Sequence, residues 1–269
     1  MSSSAKVVLF TGGPVLESGA REMIRRLDRN DRLDLVGVFC ETGGRGSLAV
    51  ATELFRRRGG LLAIPLLLQR CLRLAARWLV DPSGQLARRA AVARASGVTE
   101  YPRDIHSPAV LSAVAAADPD VGMIYGGPIV KPKLFEIPSR GTLGIHHGRV
   151  PEYRGKKTIF WAMFNGEREA GVTIQRVSAK LDRGDIIAAG GVTIGRALPC
   201  VVRGRVERLG FELYERSLEE VAAGDESPVS QPRKRKKLYR DPKPRDIGHF
   251  WLRYLRRLFR AGSAVEGPR

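Results

Sequence analysis

The stretch GTLGIHHGRVPEYRG (residues 141–155) decides how the rest of the chain is understood. It holds two of the chain's four histidines, His146 and His147, between glycines and ahead of a proline and an Arg–Gly pair. Adjacent histidines suit a metal clamp, an acid–base centre, or a strand end that packs one ring and exposes the other. On a strand, neighbouring side chains point to opposite faces, so both rings address one point only if the strand has ended. No third His, Cys, Asp or Glu stands at the spacing of a ligand set, so the pair does not point to a metal.

The surroundings favour an α/β fold. KVVLFTGG (6–13) is a short buried strand entering a glycine turn, and ESGAREMIRRLDRN carries Ala20, Met23, Ile24 and Leu27 on one helical face. LDLVGVFC (33–40) is a second apolar strand, which completes a βαβ unit and implies a parallel sheet. Downstream, a helix over 107–116 starts at Ser107 with Pro108 in its first position. The spacing predicts strands at 119–127, GTLGIHH, 170–178 and 184–194, with helices at 157–167 and 201–222, the last presenting Val202, Val206, Leu209 and Leu213 on one face. A strand that ends in His and turns through glycine lies where parallel sheets place their chemistry, at the carboxyl edge. Asp182, in the KLDRGDII turn, is a candidate to orient or charge-tune that histidine.

Charge is unevenly distributed. The net charge of +18 resides in two segments: residues 56–94 hold nine Lys/Arg against Asp81, and residues 231–260 hold twelve against Asp241 and Asp246. The remaining 25 basic and 25 acidic residues balance. Two basic attachments on a neutral body imply an anionic partner: phosphate, nucleic acid or a membrane surface. LLAIPLLLQRCLRLAARWLV (61–80) sets Arg70, Arg73 and Arg77 opposite an apolar face, which suits an interfacial helix or one packed on the body with solvated arginines. GHFWLRYLRRLFR (248–260) sets Phe250, Trp251, Tyr254, Leu255, Leu258 and Phe259 against Arg253, Arg256, Arg257 and Arg260. MSSSAK lacks the apolar stretch of a secretory signal, and three scattered cysteines suit a reducing compartment, so a cytoplasmic protein, peripheral to the inner face of the membrane, is the expectation.

The motifs in register resemble those of the 10-formyltetrahydrofolate-dependent formyltransferases, which act on methionyl-tRNA, glycinamide ribonucleotide or sugar amines. That family carries roughly G-T-x-N-x-H-P-S-L-L-P-x-Y-R-G, then G-V-T-[IL] and [LV]-D-x-G-x-I-[IL]. This chain has GTLGIHHGRVPEYRG, FNGEREAGVTI and LDRGDII in that order, and DVGMIYGGPIVKPKLFEIP upstream resembles the family's folate-side loop. The resemblance implies a Rossmann-like, mostly parallel sheet flanked by helices: a catalytic domain over 1–200, interrupted by a basic helical insertion at 56–95, and a basic C-terminal extension over 201–269.

It further implies His146 and Asp182 as catalytic residues, 10-formyltetrahydrofolate as co-substrate and no metal. Tyr125, Gly126, Gly127, Ile129 and Asp185 fall on the cofactor side. Gly12, Gly13 and Arg149 are the substrate-side candidates, the two glycines for acceptor phosphate with a tight turn as the other reading. The family's Asn falls on Gly144, so an oxyanion donor is missing, and His147 or Arg149 is the candidate replacement. Tyr153, Arg154 and Gly155 are expected to shape the loop. The acceptor is expected to be a small-molecule or lipid-linked amine such as an amino-sugar, with methionyl-tRNA as the alternative. Another acyl transfer, a hydrolysis and a non-catalytic binding homologue also remain open.

Overall fold

The computed structural model describes residues 4–13, 16–43, 81–180, 182–232 and 237–260, and side chains up to 256. The chain forms two compact units: Met1–Gly144 with Glu215–Glu226, and Ile145–Tyr214 with Ser227–Arg269. The boundary expected at residue 200 falls inside the helix Pro199–Ala223.

In the first unit, β1 (Ala5–Gly12) pairs in parallel with β2 (Leu33–Glu41) and with β4 (Val121–Ile124). Val7, Val8, Leu9 and Phe10 are all fully buried, the pattern of a central strand covered on both faces. Between β1 and β2 runs α1 (Ser18–Leu27), whose Ala20, Met23, Ile24 and Leu27 are buried as their spacing requires. A short β3 (Thr99–Glu100) extends the sheet beyond β2, and α3 (Pro108–Ala117) begins at Ser107, whose hydroxyl accepts from the Val110 N–H. A single-turn helix, α4 (Pro132–Phe135), follows the β4 loop.

The segment 82–95, expected as part of a basic insertion, is α2 (Pro82–Arg94), started by Asp81 accepting from Gly84 N–H at 2.8 Å. Its arginines are not simply solvated: Arg88 pairs with the buried Glu22 and Arg94 with Asp28, both carboxylates belonging to α1 or its end. This part of the insertion is therefore a helix ion-paired to α1. Residues 61–80 lie outside the described residues, and so does the interfacial-helix reading of them.

Strand β5 (Thr142–His146) belongs to both units, and the full order is β3-β2-β1-β4-β5-β7-β8. The second unit supplies α5 (Thr158–Asn165), β7 (Glu169–Arg176) and β8 (Ile186–Thr193), the last two antiparallel. α6 (Pro199–Ala223) places Val202 and Val206 in a core with Ala162, Met163, Ala170, Val172 and Ile194. Phe250 and Tyr254 of α7 (Pro244–Arg260) join the same core. The single apolar face expected for this helix is thus divided. Two aromatics are buried, while Trp251, Leu252 and Leu255 remain exposed together with Ile247. In the stretch before α7, β9 (Leu238–Tyr239) pairs in parallel with β6 (Arg154–Gly155). Among the described residues, no helix is long and apolar enough to cross a membrane.

Candidate active site

His146 ends β5, and both its ring nitrogens meet acceptors. Nε2 lies 2.7 Å from the Tyr153 carbonyl oxygen, which only accepts, so Nε2 carries a proton. Nδ1 lies 3.6 Å from Asp182 Oδ1, and the two side chains are 11% and 12% exposed. The Nδ1 edge of the ring therefore faces a largely buried carboxylate.

Asp182 sits in the left-handed region, φ +51°, one of the few non-glycine types that tolerate it. Its carboxylate accepts from the Gly155 N–H at 3.2 Å and the Gln175 side-chain amide at 3.4 Å. Two glycines make this closeness possible. A Cβ on Gly148 would stand 2.8 Å from His146 Nε2 and 2.5 Å from the Tyr153 carbonyl oxygen. A Cβ on Gly184 would stand 1.6 Å from the Arg176 carbonyl oxygen, against backbone that has nowhere to move.

His147 goes elsewhere. Its Nε2 lies toward Gly210 of α6, where an added Cβ would come within 4.0 Å of it, and the Thr158 hydroxyl donates to its backbone oxygen. Burial, above all, pushes this imidazole down to about 4, so it is neutral near pH 7. The adjacent histidines thus obey strand alternation, and His147 does not join His146 and Asp182 as a replacement donor. Arg149 does not either: its guanidinium pairs with Glu169 at 3.1 Å. It lines a cavity of about 550 Å³ together with Gly148, Tyr153, Thr158, Glu152 and Glu167. Gly144, on the same face of β5 as His146, offers no side chain. Asp185 accepts from the Ser230 hydroxyl at 2.8 Å.

Of the folate-side candidates, Tyr125, Gly126, Gly127 and Ile129 lie in the first unit and Asp185 in the second. The Tyr125 ring is buried against α1, where a Cβ on Gly19 would come within 2.0 Å of it, so the ring itself is not available to a ligand. Gly126 (φ +64°) and Gly127 (φ +97°) are exposed, and Ile129 is 75% exposed. The backbone of Gly126 and Gly127 and the Ile129 side chain are thus open on this loop. Gly12 packs backbone to backbone on this loop, a Cβ on it reaching 2.8 Å from Gly127 Cα. The Gly13 N–H is spent on the Glu41 carbonyl at 2.9 Å. These two glycines therefore serve close packing and sheet continuation.

One set of side chains missed in the sequence has metal-ligand character: Glu41, Asp104 and His106, whose donor atoms lie within 4.8 Å of one another. Their atoms already have partners. His106 Nε2 accepts from the Lys131 N–H at 3.0 Å, and its Nδ1 faces Asp104. The Lys133 ammonium also binds the His106 carbonyl at 2.9 Å. The arrangement works as a hydrogen-bonded clip. Gln175 was also missed. Its signal is a polar residue among the buried positions of the apolar run AGVTIQ, where a side chain needs a partner.

Residues 83–197 match the family model for formyl transferase. Among relatives, the methionyl-tRNA formyltransferase of Geobacter metallireducens is 31% identical over 125 residues, 46% of this chain and 40% of that protein. That of Roseiflexus sp. is 28% identical over 77% of this chain and 52% of its own length. The one from Anaeromyxobacter dehalogenans is 32% identical over 62% and 54%. The chain spans about half the length of these relatives. Among solved structures, a phosphoribosylglycinamide formyltransferase from Anaplasma phagocytophilum superposes with TM-score 0.56 at 15% identity, over 88% of this chain and all of that one. HypX from Aquifex aeolicus gives 0.55 at 17% identity, over 91% of this chain and 31% of that one. At such identities these structures speak to the fold alone, which is the mostly parallel, helix-flanked sheet that the motifs imply. Over residues 83–197 the chain is thus similar in sequence to formyl transferases, and its fold is the one those structures share.

Proposed function

We propose that the chain transfers a formyl group from 10-formyltetrahydrofolate to a primary amine, with His146 and Asp182 as its catalytic pair. The observation that carries this is the 3.6 Å approach of His146 Nδ1 to Asp182 inside the segment matched to the family. The folate supplies a formyl carbon already at the acyl level of oxidation. The protein's part is then to supply a donor where negative charge develops and a place for the amine's proton. The Nε2–H of His146 is the donor, and the Tyr153 carbonyl that now holds it must give way for it to act. Asp182 holds the ring in register and balances the charge of a second ring proton. With glycine at 144, His146 carries a larger share of the stabilisation than where an amide side chain stands beside it.

For the acceptor, the named relatives favour an aminoacyl-tRNA, and methionyl-tRNA is the first to test. The twelve Lys/Arg of residues 231–260 suit a polyanion. A second reading, an amino-sugar or lipid-linked amine met at an anionic membrane surface, rests on the exposed Ile247, Trp251, Leu252 and Leu255 beside Arg245, Arg253 and Arg256. The test incubates the full chain with 10-formyltetrahydrofolate and methionyl-tRNA, and in parallel with small amines. Folate release is read together with the mass gain of one formyl group on the acceptor. Release without a formylated product would replace transfer by hydrolysis, and no folate binding would replace catalysis by a binding role. Flotation with anionic vesicles decides the second reading.

A further inference from the structure

The C-terminal extension reads in the sequence as an appendage to the catalytic body. Its residues 229–232 instead run antiparallel along the turn that carries Asp182, residue against residue. Val229 and Ile186 exchange both backbone bonds, at 2.8 and 2.9 Å. The Ser230 hydroxyl donates to Asp185 Oδ1 at 2.8 Å. The Gln231 amide donates to the Gly184 carbonyl at 2.7 Å, and Arg183 donates to the Pro232 carbonyl at 3.3 Å. Four successive residues thus clasp four successive residues of the turn, and Asp182 is the next in line.

Gln231 does more than clasp. Its Nε2 also donates to Gln175 Oε1 at 2.9 Å, and Gln175 in turn directs its own amide N–H at Asp182 Oδ1. An amide side chain is nearly symmetric in shape, so only its hydrogen bonds decide which end is nitrogen. The Gly184 carbonyl accepts only, which fixes the nitrogen of Gln231. That nitrogen requires the oxygen of Gln175, which leaves the Gln175 nitrogen for Asp182. Among the described residues the Gln231 Oε1 is buried without a hydrogen bond, so the two donated bonds orient the group. Reversing Gln231 would set oxygen against oxygen at two contacts, and reversing Gln175 would set oxygen against oxygen at Asp182 and nitrogen against nitrogen at Gln231.

We propose that Val229–Pro232 is a positioning strap for the catalytic pair, and that Gln231 is its directing residue. It acts through Gln175 on Asp182 and hence on His146, outside the residues matched to the family. Gln231 touches no reacting atom and is a positioning residue, and its effect on turnover rests on the formyl-transfer reading above. The test uses the full chain with Gln231→Leu, Gln175→Leu, the double variant and Asp182→Asn. A first readout needs no activity: the ¹⁵N signals of the His146 ring at pH 7. In Gln231→Leu they are expected to move in the direction seen with Asp182→Asn and by a smaller amount. The second readout is formyl transfer, where kcat falls about 10-fold, as a sub-ångström misplacement near a reacting centre would cause, with KM for the folate unchanged. The double variant is expected to match the single ones, because one relay cannot be broken twice.

A folded Gln231→Leu protein with wild-type His146 signals would overturn the proposal, and so would effects that add fully with those of Gln175→Leu. If Gln231→Leu does not fold, Gln231→Glu keeps the side chain's shape and, when ionised, has no N–H for either acceptor. It is expected to give the same displacement. If Asp182→Asn leaves formyl transfer intact, the functional reading fails, while the His146 signals still decide the strap.

Discussion

The first βαβ unit and the C-terminal segment 227–256 are held in place by opposite means. β1, α1 and β2 are fixed by apolar faces that recur with the period of their own element: Val7–Phe10 buried throughout, Ala20, Met23, Ile24 and Leu27 on one side of a helix. The C-terminal segment has little such periodicity before α7. It is fixed by polar side chains and two short backbone pairings that reach residues dozens of positions earlier in the chain, such as Ile186–Val229 and Gly155–Tyr239. The first kind of order is written locally. The second exists only once the partner surface has folded, so a composition rich in Lys, Arg and Pro conceals it.

The comparison can be broken by truncating one large side chain in each region. Phe10→Ala in β1 removes a fully buried ring from a central strand and is expected to cost about 4 kcal/mol. Phe250→Ala in α7 is expected to cost about 3 kcal/mol, because Phe250 is 4% exposed and meets the Phe160 ring at 5.1 Å. Both are read from denaturant midpoints. A loss below about 1 kcal/mol at Phe250 would make α7 an appendage after all.

Acid stability sharpens the same contrast between ordinary burial and a charge-bearing site. His147 has a folded-state value of about 4 against an ordinary 6.5. Above pH 6.5 neither folded nor unfolded chains hold the proton. As pH falls from 6.5 to 4 the unfolded chain takes it up and the folded chain does not, so stability is lost across that window, and below it the loss is constant. The whole loss is roughly 3 kcal/mol. His147→Phe should flatten that limb of the stability–pH curve, and an unchanged limb would mean that the ring is not buried in solution.

A smaller effect belongs to the β6–β9 pairing. The Tyr153 and Tyr239 rings stack at 5.2 Å, and Asn165 binds both hydroxyls. Tyr239→Leu keeps an apolar side chain but removes the stack and one hydroxyl, for an expected loss of about 1 kcal/mol. Faster amide exchange at Lys156 should accompany it, since the Lys156 N–H is bonded to the Tyr239 carbonyl at 2.9 Å. Unchanged exchange would mean that the linker does not hold the loop.

Much of the site was legible because its residues stand in motifs. His146 at a strand end and Asp182 in the turn before β8 are both found where the sequence puts them, and His147 on the opposite face follows from alternation. What was not legible depends on backbone atoms and distant partners. Nothing in GRVPEYRG announces that the Tyr153 carbonyl takes the His146 Nε2 proton, since that oxygen is common to every residue type. Tyr125 looked available beside two glycines, but the missing side chain of Gly19 on a different element is what buries its ring. The charge of 82–94 read as open to an anionic partner because Glu22 and Asp28, which pair with Arg88 and Arg94, lie more than fifty residues earlier. Gln231 was hidden in a basic linker for the same reason.

The most direct measurement is formyl transfer from 10-formyltetrahydrofolate by wild-type protein and by Asp182→Asn, with methionyl-tRNA and small amines as acceptors and folding checked in the same preparations. The His146–Asp182 account predicts a formylated acceptor with the wild type and a kcat/KM lower by about 10² to 10³ in a folded Asp182→Asn protein. Equal rates in the two proteins, or folate left untouched by the wild type with every acceptor, would contradict it.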